Sequence, residues 1–367
     1  MGCLTLYFVH LRLYSYIMIT HIRVASQQLE QPRFESPKEL VSWMGAIQAQ
    51  EYEMAKWAIG IRLRSSSLET VNEALYKGDI LRTHVMRPTW HFVAAEDIRW
   101  MLMLSSERIK AAVMSYAKGH FGKIEKTLFT RCLDQIGKIL EGYKSLTKQE
   151  IAEHFCCSGI LVEADNHRMT RFMVRAEQEG IVCSGEDKGG KYTYALLEER
   201  VPPVPEITKD EALARLARSY FRSHAPAVLQ DFIWSGLPVS EAKQAIYLIE
   251  SELTAEQWNG QTWYVHEACR TRGKVSGRLH LLPSYDEYLL GYKDRTDVLP
   301  KEHYPKAFTN NGLFYPVILH EGQVIGNWSK SAKKGSASIE CSWFRSNDCV
   351  DETVLNQEKD KYMRFWQ

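Results

Sequence analysis

Apolar residues recur at helical spacing through the first part of the chain, between recognisable start and stop signals. The segment SPKE at 36–39 has the pattern of a capping box with proline at the first helical position, and Leu40, Val41, Met44 and Ile47 follow. This pattern predicts a helix that starts at Pro37 and ends near Ile47.

Two further helical segments come next. EMAKWAIGIRL is apolar-periodic, and SLETVNEALYKG predicts a short helix that its glycine stops. ILRTHVMRPTWHFVA is rich in β-branched and aromatic residues and predicts a strand or hairpin, and AEDIRWMLML returns to helix.

The middle of the chain has a clearer order of elements. A second capping box, TKQE at 147–150, opens the helix KQEIAEHF, and NHRMTRFMVRAEQEG predicts a helix ended by Gly180. IVCSG and YTYALL flank the turn EDKGGK and predict a β-hairpin. Two helices followed by a two-stranded wing are typical of a winged helix.

The same order recurs after the proline-rich joint VPPVPEI. Three predicted helices, DEALARLARSYFRSH, AVLQDFIWSG and VSEAKQAIYLIESEL, precede a predicted wing at WNGQTWYV. The chain ends in a predicted β-meander, with turns at 321–322 and 334–335, and a closing helix. We therefore expect an α+β fold of three tandem winged-helix units at 18–130, 131–203 and 204–280, followed by a β-rich segment at 281–367.

Composition changes this picture little. The 367 residues are 45% hydrophobic and 25% charged, as in an ordinary globular protein, and the net charge of +1 neither favours nor excludes nucleic acid. The eight cysteines form no C-x-x-C, so we expect reduced thiols in a cytoplasmic protein, without disulfides, metal or cofactor. Residues 1–17 contain an apolar run interrupted by His10 and Arg12. We interpret them as a mis-called or disordered extension, with Met18 as the alternative start.

Basic residues mark candidate contacts to nucleic acid. Arg168, Arg171 and Arg175 share one helix face at i, i+3 and i+7, and Lys188 and Lys191 lie in the wing beyond it. Charge alone fits a solvated surface equally well, and the winged-helix order favours phosphate contacts. The basic groups at 270–278 and 330–334 are more simply solvated faces.

Two further polar groups are less specific. Arg82, Arg87 and His91 surround the predicted strand RTHVMRPTWHF without metal-ligand spacing. Asp286 and Glu287, in the dense polar and aromatic run SYDEYLLGYKDR, suit an inter-domain latch as readily as a functional site.

The segment GAIQAQEYE places Gln48 and Gln50 two residues apart. On a helix these side chains would point to nearly opposite sides, whereas in an extended segment they share a face. If the two amides act together, the helix must break before them. From spacing alone, surface or capping amides are the default interpretation.

Four segments together resemble the winged-helix DNA glycosylases of the AlkZ and YcaQ kind. They are GAIQAQ, ILRTHVMRPTWHFVAAEDIRWML, LQDFIWSG with LPVSEAKQAI, and LLPSYDEYLLGYKDR, in the family's order from about Met18 onward. The glutamine-aliphatic-glutamine form is closer to the AlkZ-like branch, because the YcaQ branch has aspartate second. Pro88 stands where the family has glycine.

The resemblance implies three tandem winged helices in a C-shaped molecule, with Gln48 and Gln50 as catalytic residues in its cleft. Two amides can give only modest help to N-glycosidic hydrolysis, so the chemistry predicts release of cationic alkylated purines, including bulky or interstrand cross-linked N7-guanine adducts, from double-stranded DNA. No lysine accompanies the motif, which favours a monofunctional hydrolase, and we expect a monomer. Arg82, Arg87 and His91 become candidate DNA or cleft contacts. The basic residues of the middle helix and wing become candidate backbone contacts.

Two alternatives stay open from the residues. Winged helices serve more often in non-catalytic DNA-binding proteins or transcriptional regulators than in enzymes, and they also bind proteins. Against a regulator, the sequence has no separate ligand domain and no obvious dimerisation helix. Base release separates an enzyme from a regulator, and salt-sensitive DNA affinity separates both from a protein scaffold.

Overall fold

Two separately packed units make up the part of the chain that the computed structural model describes, residues 18–65, 67–120, 124–163, 165–270, 278–333, 336–345 and 350–367. The first unit holds the described residues up to Val71 together with Ala214–Gln367, and the second holds Asn72–Leu213. The interpretation of residues 1–17 as an extension and the predicted turn at 334–335 lie outside the described residues.

The first helices differ from the prediction at one boundary. A helix at residues 18–26 (α1) precedes α2 (Pro37–Met44), β1 (Ala46–Gln48), α3 (Tyr52–Gly60) and α4 (Leu68–Lys77). Helix α2 starts at Pro37 as predicted, although Ser36 makes no side-chain capping hydrogen bond. The predicted end near Ile47 is wrong, because Gly45 has a left-handed φ of 79° and the chain then becomes extended.

The second unit begins within α4 and continues with the predicted hairpin, β2 (Ile80–His84) and β3 (Trp90–Ala94), which pair antiparallel. A 3-10 turn at Ala95–Asp97 leads into α5 (Ile98–His120), which is longer than the predicted segment. The remaining elements are α6 (Lys126–Leu140), β4 (Leu146–Thr147), α7 (Lys148–Cys157), α8 (Asn166–Gln178), β5 (Val182–Ser184), β6 (Thr193–Leu196) and α9 (Leu197–Arg200).

Helices α6, α7 and α8 of this unit enclose one apolar core. Ile136, Phe155 and Phe172 are fully buried in it, and the strands form a sheet in the order β4-β6-β5. The capping box at α7 is confirmed, since Thr147 accepts from the Glu150 peptide N–H while Glu150 accepts from that of Thr147. The element order is helix, strand, helix, helix, strand, strand.

This order recurs in the next segment, which belongs to the first unit from Ala214 onward. It comprises α10 (Lys209–His224), β7 (Ala227–Val228), α11 (Leu229–Trp234), α12 (Val239–Leu248), β8 (Leu253–Trp258) and β9 (Gln261–His266). Its sheet has the order β7-β9-β8, which matches that of the second unit position by position. The predicted helices and hairpin are therefore confirmed.

The C-terminal part contains the predicted β-meander and closing helix. Four antiparallel strands, β10 (Leu279–Leu282), β11 (Val317–His320), β12 (Gln323–Lys333) and β13 (Ser336–Trp343), lie in sequence order. Two short helices, α13 (Glu287–Leu290) and α14 (Tyr304–Ala307), precede β11, and α15 (Glu352–Phe365) ends the chain. The Trp57 ring of α3 contacts Tyr362 and Phe365 of α15 at centroid distances of 5.2 and 5.3 Å.

No helix among the described residues is both long and apolar enough to cross a membrane. Within the same residues, no three histidine, cysteine or acidic side chains gather as metal ligands. The described cysteines Cys132, Cys156, Cys157, Cys183, Cys269 and Cys341 are all free thiols.

Candidate active site and DNA-binding residues

The glutamine pair lies where the chain leaves α2, in the first unit. Gln48 is the last residue of β1 and is 6% exposed, whereas Gln50 lies in an exposed bend just before α3. Ile47 and Ala49 beside them are fully buried. The helix therefore breaks before the pair, as concerted action of the two amides requires.

Arg222 of α10 fixes the point at which α2 stops. Its guanidinium donates to the carbonyl oxygens of Ser42 and Trp43 at 2.5 and 3.1 Å, in the last turn of α2, where the Ser42 carbonyl also accepts the Gly45 N–H at 3.2 Å. A Cβ at Gly45 would lie 3.1 Å from the Ser219 Cβ of the same helix. Close packing on α10 and the left-handed turn thus both require glycine at this position.

A buried carboxylate completes the surroundings of β1. Glu287 Oε1 accepts the peptide N–H of Gln48 at 2.8 Å, and Glu287 Oε2 lies 3.6 Å from Nε2 of His224. Glu287 is 6% exposed and His224 3%. The glutamine motif is therefore joined to the SYDEYLLGYKDR segment by a direct hydrogen bond.

The residue before Glu287 anchors the same segment. Both oxygens of Asp286 accept from Arg62, at 2.7 and 2.9 Å, and Asp286 also caps α13 by accepting the Tyr288 N–H. Arg62 donates further to Gln27, which in turn donates to the Tyr292 hydroxyl. The buried acidic run is thus held by hydrogen bonds to Arg62, which follows α3, and to Gln48, and Arg62 is itself bonded to Gln27, which follows α1.

In the second unit, two of the three predicted hairpin residues are buried. Arg82 is 8% exposed, with its guanidinium 4.3 Å from the Trp90 ring centroid and 5.1 Å from that of Tyr192. His91 is 2% exposed, and its Nδ1 lies 2.9 Å from the Thr89 carbonyl oxygen. Arg87, in the turn between β2 and β3, is only half-buried.

The basic residues of α8 and the β5–β6 turn lie in the same unit and are partly compensated. Arg175 pairs with Glu179 at 2.7 Å, Arg168 lies 3.9 Å from Asp165, and Lys188 pairs with Glu150 at 3.2 Å. Burial and the neighbouring charge of Arg168 lower the pKa of Arg171. Lys191 is exposed at the end of the same turn.

Sequence reasoning missed two residues around Gln48. His224 and Arg62 carry no local motif, and each is separated along the chain from the acidic residue that it contacts. The dense polar and aromatic run at 284–295 was the one available signal. It identified the acidic residues, but not the glutamine that one of them binds.

Comparison with known proteins places this chain in one family, whose model covers most of its length. The model of the DNA glycosylase AlkZ-like family matches residues 41–365. An interstrand DNA cross-link repair glycosylase of Streptomyces sahachiroi is 23% identical over 322 residues, which cover 83% of this chain and 85% of that protein. The structure of the DNA glycosylase AlkZ of the same organism superposes with a TM-score of 0.77 at 20% identity, over 95% of this chain and 96% of that one, and therefore shares the fold. The chain belongs to the AlkZ-like family of DNA glycosylases.

Proposed function

We propose that this protein is a monofunctional DNA glycosylase that hydrolyses the N-glycosidic bond of cationic alkylated purines. Its substrates would be N7-alkylguanines, including bulky and interstrand cross-linked adducts. The observation that carries this proposal is the break in the helix before Gln48 and Gln50, where Gln48 ends an extended strand and its peptide N–H is bonded to a buried carboxylate. Family membership supports the reaction class, and the name of the Streptomyces relative supports cross-linked DNA as a substrate.

The two glutamine amides can assist this hydrolysis only by orienting the water and stabilising the sugar cation. Hydrolysis breaks the C1′–N9 bond, whose electron pair leaves with the base, while a water oxygen attacks C1′ and its proton passes to solvent. A glutamine side chain does not titrate near neutral pH, so it cannot act as the general base. Its carbonyl oxygen can orient the water and place partial negative charge against the oxocarbenium-like sugar.

Because the amides assist the reaction only modestly, the substrate must carry a base that is already a good leaving group. An N7-alkylated guanine carries a formal positive charge and departs as a neutral base without being protonated. Uracil and oxidised neutral bases depart as anions unless an acid protonates them. The glutamine pair therefore favours cationic purines over neutral lesions.

The absence of lysine from the motif favours water as the nucleophile. The stretch GAIQAQEYE contains no lysine that could form a Schiff base with C1′. The proposed product is an intact abasic site, formed without strand cleavage.

Binding to duplex DNA is proposed for the exposed and half-buried basic side chains. We assign backbone contacts to the α8 and wing residues Arg168, Arg171, Arg175, Lys188 and Lys191. Among the hairpin residues, half-buried Arg87 is the better candidate for a direct contact. We propose that buried Arg82 and His91 support the hairpin.

The repeated order of elements supports three winged-helix units. From α2 to β3, from α6 to β6 and from α10 to β9, the chain reads helix, strand, helix, helix, strand, strand. We propose units at 18–130, 131–203 and 204–280, followed by the β-rich segment at 281–367.

The test is release of free base from two matched duplexes, one with a single N7-methylguanine and one with a single uracil. We expect N7-methylguanine release above the spontaneous rate, an intact strand, and no uracil release. Salt-dependent binding without release from methylated or bulky N7-adduct duplexes would instead indicate a DNA-binding protein. Release of uracil would contradict the requirement for a cationic leaving group.

A further inference from the structure

We propose that Glu287, which faces His224, is a positioning residue that fixes the main chain of the glutamine motif. This inference rests on the proposed function and adds two residues to it. Its basis is the set of contacts that Glu287 and His224 make in the first unit.

Glu287 contacts the motif through its backbone. The Gln48 N–H donates to Oε1 over 2.8 Å, and both groups are buried from solvent. A hydrogen bond to a carboxylate in a buried site is stronger than one between neutral groups. Gln48 is therefore held at the residue where β1 ends and the exposed bend of Gln50 begins.

The hydrogen-bond network around His224 assigns a proton to the pair. The Ser223 hydroxyl donates its only hydrogen to the Ser219 carbonyl at 2.6 Å. Ser223 Oγ must therefore accept from His224 Nδ1, 2.8 Å away, so that Nδ1 carries a hydrogen.

The other ring nitrogen of His224 then faces Glu287 Oε2 at 3.6 Å. It has no hydrogen-bond partner within the described part of the chain. A bare lone pair opposite a carboxylate would be repelled, whereas a proton between Nε2 and Oε2, on either group, makes the contact attractive. The Oε2 atom then faces His224, and Oε1 is the acceptor for Gln48.

The surroundings hold this pair in place. The Tyr220 ring stacks on His224 with centroids 4.7 Å apart and planes 3° apart. A Cβ at Gly291 would lie 2.6 Å from His224 Cδ2, so only glycine leaves room for the imidazole. Tyr285, next to the acidic run, has a φ of 56°, a left-handed conformation that is uncommon for bulky residues.

This arrangement requires a hydrogen-bond acceptor at a fixed distance along the side chain of residue 287. The glutamine motif needs an acceptor at the distance of a glutamate, and the negative charge itself takes no part in the reaction. Glu287→Gln keeps that acceptor, and its amide can donate to a neutral His224. Glu287→Asp keeps the charge but is one methylene shorter, which withdraws the acceptor from the Gln48 N–H.

The reciprocal pair Glu287→Gln and Glu287→Asp tests the inference by single-turnover release of N7-methylguanine. Since misplacement of about 1 Å costs on the order of 100-fold in rate, we expect Glu287→Asp to be slowed about 10- to 100-fold at unchanged DNA affinity. Glu287→Gln should stay within about threefold of wild type.

Glu252→Asp is the matched control. Its carboxylate accepts from Arg218 at 2.7 Å and lies 3.0 Å from His266 Nε2, so the same shortening disturbs another Glu–His pair of the first unit. We expect it to keep the wild-type rate. Amide hydrogen exchange over residues 45–53 gives a second readout, in which Glu287→Asp exchanges faster and Glu287→Gln stays protected.

Three outcomes separate the possibilities. Slower release by Glu287→Gln than by Glu287→Asp would show that the carboxylate charge is needed and overturn the positioning role. Wild-type rates and exchange in both variants would overturn any role. If wild type itself releases neither methylated nor bulky N7-guanine, the proposed function fails, and hydrogen exchange alone decides whether Glu287 fixes the strand.

Discussion

The peptide N–H of Gln48 and the carboxylate of Glu287 form a 2.8 Å hydrogen bond between residues 239 positions apart. This bond joins the strand that carries Gln48 to the first residue of α13. The C-terminal segment is thus part of the candidate active site. Changes there should affect base release even where they touch neither glutamine.

Gly291→Ala tests the link between the C-terminal segment and Gln48, because the added methyl group would displace His224. The added Cβ would lie 2.6 Å from His224 Cδ2 and 2.8 Å from the Glu287 carbonyl oxygen, so His224 must move. Overpacking of this kind costs about 1–3 kcal/mol of folding free energy. We expect slower single-turnover release of N7-methylguanine in addition to a lower melting temperature.

Gly60→Ala is the matched control, because its added Cβ would lie 2.4 Å from the Phe365 ring in the same unit. It should lower the melting temperature without slowing release at temperatures where it is folded. Equal release rates in the two variants would count against a functional link through His224.

Arg62→Met should be strongly destabilising. It leaves the Asp286 carboxylate, which has two short bonds to Arg62, buried without its cation. Loss of one partner of a buried ion pair typically costs about 3–5 kcal/mol. We expect the double variant Arg62→Met/Asp286→Asn to be more stable in urea than Arg62→Met alone.

The exposed pair Arg99–Glu198, with N–O distance 2.9 Å, is the control for that experiment. Arg99→Met should cost less than about 1 kcal/mol, since solvent screens this pair. Similar urea midpoints for the Arg62 and Arg99 variants would show that burial does not set the strength of the Arg62–Asp286 pair.

His280 should make the first unit less stable in acid. Burial, together with the charges of Lys361, Arg278 and Arg62, lowers the pKa of His280 from 6.5 to about 3. Below pH 6.5 the unfolded chain binds a proton that the folded protein takes up only near pH 3, so stability present above pH 6.5 is lost as the pH falls.

His280→Leu removes this dependence. Relative to the variant, wild type should lose about 1.4 kcal/mol of unfolding free energy per pH unit between about pH 5.5 and about pH 4. Urea unfolding across this range measures the difference. Parallel stability curves for the two proteins would contradict a neutral buried imidazole.

Arg168→Ala and Arg171→Ala should weaken DNA binding without altering the chemical step. Each loss of a phosphate contact should reduce the slope of log affinity against log salt by about 1. Arg99→Ala, which removes an exposed charge elsewhere in the second unit, should leave the slope unchanged. The same slope in all three variants would exclude α8 from the interface.

Local signals in the sequence predicted most helices and hairpins, because capping residues, glycines and periodicity act over a few residues. The Thr147 capping box formed as expected, whereas Ser36 marked the start of α2 without making its side-chain bond. Helix α6 was not predicted, although Cys132, Ile136 and Leu140 recur at four-residue spacing and are fully buried.

Long-range contacts were beyond such reasoning. The end of α2 depends on Arg222, and the environment of Gln48 depends on Glu287, each more than 170 residues away in sequence. Periodicity cannot report contacts of that range. The family resemblance gave the motif its proposed role, while its supporting side chains became apparent only in the structure.

The most direct test of the account is single-turnover release of N7-methylguanine by wild type, Gln48→Ala and Gln50→Ala, with DNA affinity measured in parallel. The account predicts release above the spontaneous rate by wild type and a large loss in both variants, each of which still binds the duplex. Because Gln50 is exposed, Gln50→Ala should slow base release without changing the melting temperature. Wild-type rates in both alanine variants would contradict the central claim that these two amides carry the chemistry.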